Sequence, residues 1–306
     1  MAEITIGYTD GSHFQKNFIK TVFYNLFPDK KCIFVKDPEK DPDYIIFSTT
    51  GTTNTKYKKS YKILIKTKIG DLESYSADLI IDTINDTKHL PSKTNMIYIP
   101  YYVISFYERF KNGPNNLIKP KTYNAEEILK SKTKFCAFLY HNCDVKYRNK
   151  FFYMLNNYNK VDALGTCLSK LKKETTDRFY FKDQDESFHD KAVQKYRPYK
   201  FVICFESAKQ KGYISEKIIN SMLSNCIPIY YGADDITEHF NEKCFINANK
   251  FKQFDECIEL IKKIDKDDKL YIKMLEEAWL TNNKLSPWFS IGLFVETMKK
   301  VIKSTS

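Results

Sequence analysis

The sequence predicts an α/β protein with two domains, and three observations support this fold class. Short apolar runs alternate with stretches of helical periodicity, most regularly from Phe135 onward. A Gly-Pro-Asn-Asn break at residues 113–116 divides the chain. The 306 residues include 23 Phe and 22 Tyr, which is enough apolar material for two cores and excludes a disordered chain. We therefore expect a first domain at 1–118, a second domain at 119–285 and a separate C-terminal segment at 286–306.

The first domain is predicted to be an open sheet with few helices. One helix is expected over Phe14–Leu26, where apolar residues recur with helical spacing. Short apolar runs bounded by polar residues predict six strands, at Ile4–Tyr8, Cys32–Val35, Tyr44–Phe47, Tyr61–Ile65, Leu79–Ile81 and Met96–Ile99.

The second domain is predicted to alternate regularly between strands and helices. The strands are expected at 135–139, 161–163, 201–205, 227–230 and 245–246. The helices are expected at 147–158, 190–196, 215–225, 234–240 and 253–263, with a last helix at 287–303. Such alternation implies a parallel, doubly wound sheet.

The segment 201–232 contains the most informative pattern in the chain. An apolar strand is followed by a polar turn at Gly212, a helix start and a second apolar strand. Ser215 is a favourable N-cap, with Glu216 and Lys217 directly after it. A site for a phosphate-bearing ligand needs this order of parts, because helix amides and a lysine can then face the anion.

These residues resemble the donor-binding signature of the α1,3/α1,4-fucosyltransferases of glycosyltransferase family 10, which use GDP-fucose. The family signature reads Phe-Glu-Asn-Ser, six residues, then Thr-Glu-Lys. This chain has the same spacing, but Ser207 and Ala208 replace the family's Asn and Ser. The resemblance covers residues 134–170 and 196–260, and its further motifs are 141–143 (HNC), Arg148, 161–165 (VDALG) and 245–251 (FINANKF).

The resemblance implies a GT-B-type fold, in which two Rossmann-like doubly wound domains face a cleft and the C-terminal helix packs back on the first domain. It also implies an inverting transfer of fucose, or a similar deoxysugar, from GDP-fucose to a sugar hydroxyl of a glycan. By the family's pattern, Arg148 and Lys217 bind the diphosphate, Tyr213 and Glu216 contact the nucleotide sugar, and Glu206 and Ser207 line the same pocket. Two alternatives stay open: a catalytically impaired nucleotide-sugar-binding protein, or a transferase for a different nucleotide sugar.

An inverting transfer needs a general base for the acceptor hydroxyl. The resemblance implies a Glu in the first domain, but Lys68 stands at that position, and a protonated lysine cannot accept the proton. Asp71 is the nearest replacement and Glu73 the alternative in the same loop. Asp10 and Asp82, each of which follows a predicted strand, are further candidates.

No metal or other cofactor is expected besides the donor substrate. Asp183-Gln184-Asp185 is an Asp-x-Asp pair of the kind that holds a divalent cation, but it lies in a charged run rather than after an apolar strand. The five histidines show no ligand spacing. The run 265–268 (DKDD) is typical of an exposed loop.

The net charge of +11 favours anionic partners, of which a nucleotide sugar is one. A nucleic-acid partner is not expected, because the basic stretch 56–62 is most simply an exposed loop. Lys299, Lys300 and Lys303 leave open a weak contact with an anionic membrane. The acceptor and the oligomeric state stay open.

A cytoplasmic location is expected, because the sequence has no signal-peptide pattern and no apolar run long enough to span a membrane. The eight cysteines include no Cys-x-x-Cys pair, and Cys204, Cys226 and Cys257 fall in apolar runs. Small buried free thiols in a reducing compartment are therefore predicted.

Overall fold

A computed structural model describes residues 1–67, 75–85, 95–109, 114–168 and 188–305. The chain forms two compact units. The first unit contains Met1–Pro114, Gln210–Ser215 and Ser286–Ser306, and the second contains Asn115–Lys209 and Glu216–Leu285. The short segment Gln210–Ser215, which lies within the predicted second domain, is thus part of the first unit.

The first unit is built on a parallel sheet. Its elements are β1 (Glu3–Tyr8), α1 (Lys16–Leu26), β2 (Lys31–Lys36), β3 (Tyr44–Ser48), β4 (Tyr61–Lys66), β5 (Leu79–Asp82), β6 (Asn95–Tyr98) and α2 (Tyr101–Arg109). The sheet order is β2-β1-β3-β4-β5-β6. All six predicted strands are confirmed, with small shifts at their ends.

Two helical features of the first unit differ from the prediction. The predicted helix over Phe14–Leu26 is a 3-10 turn at Ser12–Gln15 followed by α1 from Lys16. Helix α2 was not predicted, because its sequence YYVISFYER is rich in aromatic and β-branched residues, which favour strands. Residues 102–106 of this helix are all buried, so packing decided the outcome.

The second unit is built on a five-stranded parallel sheet. Its elements are α3 (Ala125–Ser131), β7 (Lys134–Phe138), α4 (Lys146–Asn156), β8 (Val161–Ala163), α5 (Phe188–Tyr196), β9 (Tyr199–Phe205), α6 (Lys217–Leu223), β10 (Ile227–Tyr231), α7 (Ile236–His239), β11 (Ile246–Asn247), α8 (Phe254–Lys266) and α9 (Asp268–Glu276). The sheet order is β11-β10-β9-β7-β8, and the predicted alternation of strands and helices is confirmed.

The last helix, α10 (Ile291–Thr305), belongs to the first unit. It packs on α1, where the rings of Phe294 and Phe18 lie 5.7 Å apart between centroids. In the described part of the chain, no helix is both long and apolar enough to cross a bilayer.

Both sheets have the strand order 2-1-3-4-5 when the strands of each unit are counted from its own start, and the first sheet adds a sixth strand. In doubly wound sheets of this order, ligands bind beyond the carboxyl ends of the strands, where the order reverses. That position lies between β1 and β3 in the first unit. In the second unit it lies between β7 and β9.

The run 265–268 is exposed at residues 266–268, as predicted, but it joins two helices directly and is not a loop. Asp265 accepts a hydrogen bond from the Lys200 ammonium at 2.8 Å, and both side chains are largely buried. Asp267 is the N-cap of α9 and accepts from the backbone amides of Lys269 and Leu270. Acidic residues at a helix start satisfy its unpaired amides, so Asp267 and Asp268 begin α9, whereas Asp265 and Lys266 end α8.

The prediction that all eight cysteines are free thiols is wrong for two of them. Cys143 and Cys167 form a disulfide. The other six cysteines, which all fall within the described ranges, are free, and those predicted to be buried, Cys204, Cys226 and Cys257, are buried.

Candidate functional site

Tyr140 connects the two central strands of the second unit at the point where its strand order reverses. It follows β7, and its hydroxyl donates to the Ile203 carbonyl at 2.7 Å on β9. The same hydroxyl oxygen accepts from the backbone amide of Phe205 at 2.7 Å. Burial raises the pKa of Tyr140 above its usual value, so the hydroxyl stays neutral and can play both roles.

Arg148 lies directly over Tyr140. It projects from α4, its guanidinium carbon lies 3.9 Å from the centre of the Tyr140 ring, and the residue is only 3% exposed. One terminal nitrogen donates to the Phe205 carbonyl at 3.1 Å. Within the described residues, its buried Nε has no hydrogen-bond partner. A buried cation with an unused donor is favourably placed to receive an anion.

Lys217 and Glu206 form the second charged group of the site. Glu206 directly follows β9, its side chain is fully buried, and its carboxylate lies 2.9 Å from the Lys217 ammonium. The Lys217 side chain is 24% exposed, so the pair has one side open to solvent. Because Phe205 bonds Arg148 and its neighbour Glu206 bonds Lys217, the end of β9 holds both cations.

Aromatic rings lie beside these charges. The Tyr147 hydroxyl donates to the Glu206 carbonyl at 2.7 Å, and its ring lies 5.2 Å from that of Tyr231 at the end of β10. The Tyr231 ring in turn lies 5.3 Å from that of Phe205. Sequence reasoning missed Tyr140, Tyr147 and Tyr231. The position of Tyr140 two residues after the first strand of its unit was the signal that could have identified it.

Tyr213 lies in a loop that belongs to the first unit. The loop needs glycine at Gly212, which has φ +74°, and a Cβ there would meet Asn85 Cβ at 2.7 Å. The Tyr98 hydroxyl donates to the Gly212 carbonyl at 3.0 Å, and the Tyr102 amide donates to the Ile214 carbonyl at 3.2 Å. The backbone on both sides of Tyr213 is therefore held in place within the first unit.

The helix after this loop begins later than predicted. Helix α6 starts at Lys217, its capping position is Glu216 rather than Ser215, and it has seven residues. Ser215 is buried and Ser207 is exposed. The structure therefore brings together Arg148, Glu206 and Lys217 in the second unit. It gives less support to the predicted role of the helix amides, because α6 is short and begins later than predicted.

The predicted base residues Asp71 and Glu73, and Lys68 beside them, lie outside the described residues, as do Asp183 and Asp185. Among the described residues, no group of three or more His, Cys, Asp or Glu side chains is arranged to hold a metal ion.

The two further base candidates lie at the carboxyl ends of first-unit strands. Asp10 uses both carboxylate oxygens to accept from the backbone amides of Thr53 and Asn54, at 3.0 and 2.9 Å. Burial alone would raise the pKa of Asp10, but these hydrogen bonds outweigh it and lower the pKa. Asp82 is fully buried and accepts from the Ile84 amide at 3.1 Å. A bonded carboxylate with a lowered pKa is a weak base, so Asp10 holds its loop in place.

Comparison with known proteins adds three findings. Residues 129–291 match the family model of the glycosyltransferase family 10 (fucosyltransferase) C-terminal region. A putative fucosyltransferase of Acanthamoeba polyphaga mimivirus is 33% identical over 71% of this chain and 33% of its own length. The α-(1,3)-fucosyltransferase FucT of Helicobacter pylori is 34% identical over 48% of this chain and 28% of its own length. The chain thus matches about a third of the length of these relatives.

The fold is also similar to that of a solved structure. The crystal structure of an α1,3-fucosyltransferase with GDP-fucose superposes with a TM-score of 0.69, at 20% identity, over 99% of this chain and 91% of that one. This similarity confirms the GT-B-type class with its two Rossmann-like units. Since the family model spans more than half of the chain and includes Arg148, Glu206 and Lys217, the chain belongs to the fucosyltransferase family, glycosyltransferase family 10.

Proposed function

We propose that this chain transfers fucose, with inversion, from GDP-fucose to a sugar hydroxyl of a glycan. Family membership supports the type of reaction. The single observation that supports the donor site is the buried Arg148, whose unused Nε lies in the second unit where doubly wound sheets bind ligands.

In this proposal, Arg148 and Lys217 bind the diphosphate. When the bond between the sugar and the diphosphate breaks, the bonding electrons leave with the diphosphate, and fixed cations stabilise the charge that develops. Glu206 holds the Lys217 ammonium at 2.9 Å, so little reorganisation is needed when the donor binds. Tyr213, Glu216 and Ser207 are proposed to contact the nucleotide sugar.

The acceptor step is proposed to involve the first unit. The acceptor oxygen attacks the anomeric carbon from the side opposite the diphosphate, and a base removes its proton. Asp71 is the proposed base, with Glu73 as the alternative. Nuclear magnetic resonance of the product should show an anomeric configuration opposite to that in the donor. A retained configuration would reject inversion.

Donor identity can be tested by isothermal titration calorimetry with GDP, UDP, dTDP and their sugars. We expect GDP and GDP-fucose to bind and the other nucleotides to bind much more weakly. Binding of UDP or dTDP in preference to GDP would reject the GDP-fucose assignment. Binding of GDP-fucose without transfer or hydrolysis would favour a nucleotide-sugar-binding protein instead.

The diphosphate site can be tested with charge-removing variants. Arg148→Ala and Lys217→Ala should each weaken GDP binding by about tenfold or more, because each removes a charge-assisted hydrogen bond. Lys262→Ala is the matched control, since Lys262 is also paired with a glutamate, Glu259, at 2.7 Å on the surface of α8. Equal GDP affinity in all three folded variants would reject the proposed site.

Metal independence is also part of the proposal, because the two proposed cations, Arg148 and Lys217, would neutralise the leaving group without a metal ion. Activity should therefore persist after dialysis against EDTA and should not rise when Mg²⁺ or Mn²⁺ is added. Loss of activity on dialysis, restored by either ion, would reject this part and would direct attention to Asp183 and Asp185.

A further inference from the structure

The Cys143–Cys167 disulfide lies beside the proposed diphosphate site. Cys143 is in the loop between β7 and α4, and Cys167 is in the loop after β8. Both loops leave the carboxyl edge of the second sheet, where β7 and β8 are neighbours. The bridge therefore joins two segments that are 24 residues apart in the chain.

Cys167 is hydrogen-bonded to Tyr140, the residue whose ring packs against the Arg148 guanidinium. Its backbone amide donates to the Tyr140 carbonyl at 2.9 Å. Two residues earlier, Gly165 lies so close that an added Cβ would be 2.1 Å from the same carbonyl oxygen. Because the Tyr140 ring lies under the Arg148 guanidinium, a shift of this loop would move the surface on which Arg148 rests.

Cys143 is hydrogen-bonded to Asn149, the residue after Arg148 in α4. The Asn149 side-chain amide donates to the Cys143 carbonyl at 2.7 Å. Cys167 thus contacts Tyr140, whose ring lies against the Arg148 guanidinium, and Cys143 contacts Asn149, the residue after Arg148 in α4. Among the described residues, the Arg148 guanidinium donates one hydrogen bond, to the Phe205 carbonyl, so its position depends on the support of these neighbours.

We propose that Cys143 and Cys167 are positioning residues, whose disulfide holds Arg148 in place to bind the diphosphate of the donor. This role rests on the proposed function. The two loops are also joined by hydrogen bonds from the Cys167 amide to the Tyr140 carbonyl and from the Thr166 hydroxyl to the His141 carbonyl, so we expect the fold to persist when the bridge is open. Opening the bridge therefore weakens diphosphate binding without unfolding the second unit.

The bridge is accessible to a reductant from one side. Cys143 is exposed, whereas Cys167 is fully buried. A thiolate of dithiothreitol can attack the Cys143 sulfur and break the disulfide bond. The second thiol of the reagent then closes it into a cyclic disulfide, so two electrons and two protons pass to the protein and leave Cys143 and Cys167 as thiols.

The first measurement is a thiol count on the denatured chain after oxidation in a glutathione buffer. Six reactive thiols are expected before reduction and eight after it, since six of the eight cysteines are free. Eight thiols in the oxidised chain would overturn the proposal, because no bridge would then exist.

The second measurement compares the Kd for GDP in three forms: oxidised chain, reduced chain and the double variant Cys143→Ser/Cys167→Ser. We expect the reduced chain and the double variant to bind GDP about tenfold more weakly than the oxidised chain. Cys32→Ser is the matched control and should leave the Kd unchanged, because Cys32 is a free, partly exposed thiol in the first unit. Should the double variant fail to fold, the reduced wild-type chain still gives the answer.

A positioning role through Arg148 predicts more than a general loss of affinity. Binding of guanosine, which lacks the diphosphate, should be the same with the bridge open or closed. In an Arg148→Ala background, opening the bridge should not weaken GDP binding any further. Equal losses for GDP and guanosine, or additive losses in the combined variant, would overturn the role.

The outcomes separate the two proposals. If the oxidised wild-type chain binds no GDP, the proposed function fails and this role fails with it. If the chain binds GDP with the same Kd in its oxidised, reduced and serine forms, the role fails alone and the proposed function stands.

Discussion

At the residue scale, three separate contacts of Tyr140 help to hold the carboxyl edge of the second sheet in place. Tyr140 bonds β9 through its hydroxyl, supports Arg148 with its ring and accepts from Cys167 through its carbonyl. The structure explains why the motif at 161–165 has glycine at Gly165. The backbone of this residue lies against the backbone of Tyr140, which leaves no room for a side chain. A motif residue of this kind stabilises the backbone beside the site.

Gly165→Ala should therefore destabilise the chain. The added Cβ would lie 2.1 Å from the Tyr140 carbonyl oxygen, a backbone atom that cannot rotate away. We expect a loss of about 2–4 kcal/mol in the free energy of unfolding, measured by urea denaturation. Gly292→Ala is the control, because its Cβ would find only Ser290 Oγ at 3.9 Å, and a helical alanine should be neutral or stabilising. Equal stability of the two variants would contradict the close approach.

At the scale of elements, the first unit joins α1 and α2 through a partly buried carboxylate. Glu108 on α2 accepts from the Phe18 amide in the first turn of α1 at 2.7 Å. The Asn17 side chain donates to the Glu108 carbonyl at 3.0 Å, so the contact is made from both sides. Burial raises the pKa of Glu108 to about 7, although hydrogen bonds from the backbone amides of Phe18 and Asn17 oppose the shift.

The stability of the first unit should therefore depend on pH in a definite direction. Since the pKa of Glu108 is higher in the folded chain than in the unfolded chain, the folded state binds more protons between these values. The contribution of Glu108 to the free energy of unfolding should fall as pH rises from about 4.5 to about 7 and then stay level. Glu108→Gln removes this loss and should be more stable above neutral pH by about 1–3 kcal/mol.

The measurement is urea denaturation across this pH range, with Glu296→Gln, an exposed residue of α10, as the control for loss of one negative charge. A wild-type chain whose stability relative to Glu108→Gln rises between acid and neutral pH would contradict the assignment.

At the scale of the whole molecule, each unit repeats the same strand order, and the net charge of +11 is distributed along the chain. Scattered surface lysines attract anions over a distance of about one Debye length, whereas Arg148 and Lys217 act at contact distance. In our proposal, Arg148 and Lys217 supply most of the affinity for the donor, and the long-range attraction of the surface lysines contributes less.

The affinity for GDP should therefore depend only moderately on salt. We expect the Kd to rise by about two- to fivefold between about 50 mM and about 500 mM NaCl, because screening removes the long-range part alone. Calorimetric titrations at several salt concentrations give this slope. A fall in affinity of about a thousandfold would instead be typical of a chain that binds nucleic acid through many phosphate contacts.

Much of the fold was predictable from local sequence. Strands buried on both faces of a parallel sheet appear as continuous apolar runs, such as Leu79–Ile81 and 201–205, and these were confirmed. Helices α2, α3 and α9 were missed. The residues of α2 favour strands, and the capping aspartates of α9 resembled a loop. In both cases packing or capping contacts overrode the local preference.

The sequence by itself determined the two α/β halves, their strands and the motif residues Arg148, Glu206 and Lys217, because periodicity and spacing are properties of neighbours along the chain. Only the tertiary structure decided that Tyr140 supports Arg148, that Cys143 pairs with Cys167, and that Gln210–Ser215 belongs to the first unit. These contacts join residues that are far apart in the chain, so they exist only once the parallel strands bring their carboxyl ends to one edge of a sheet.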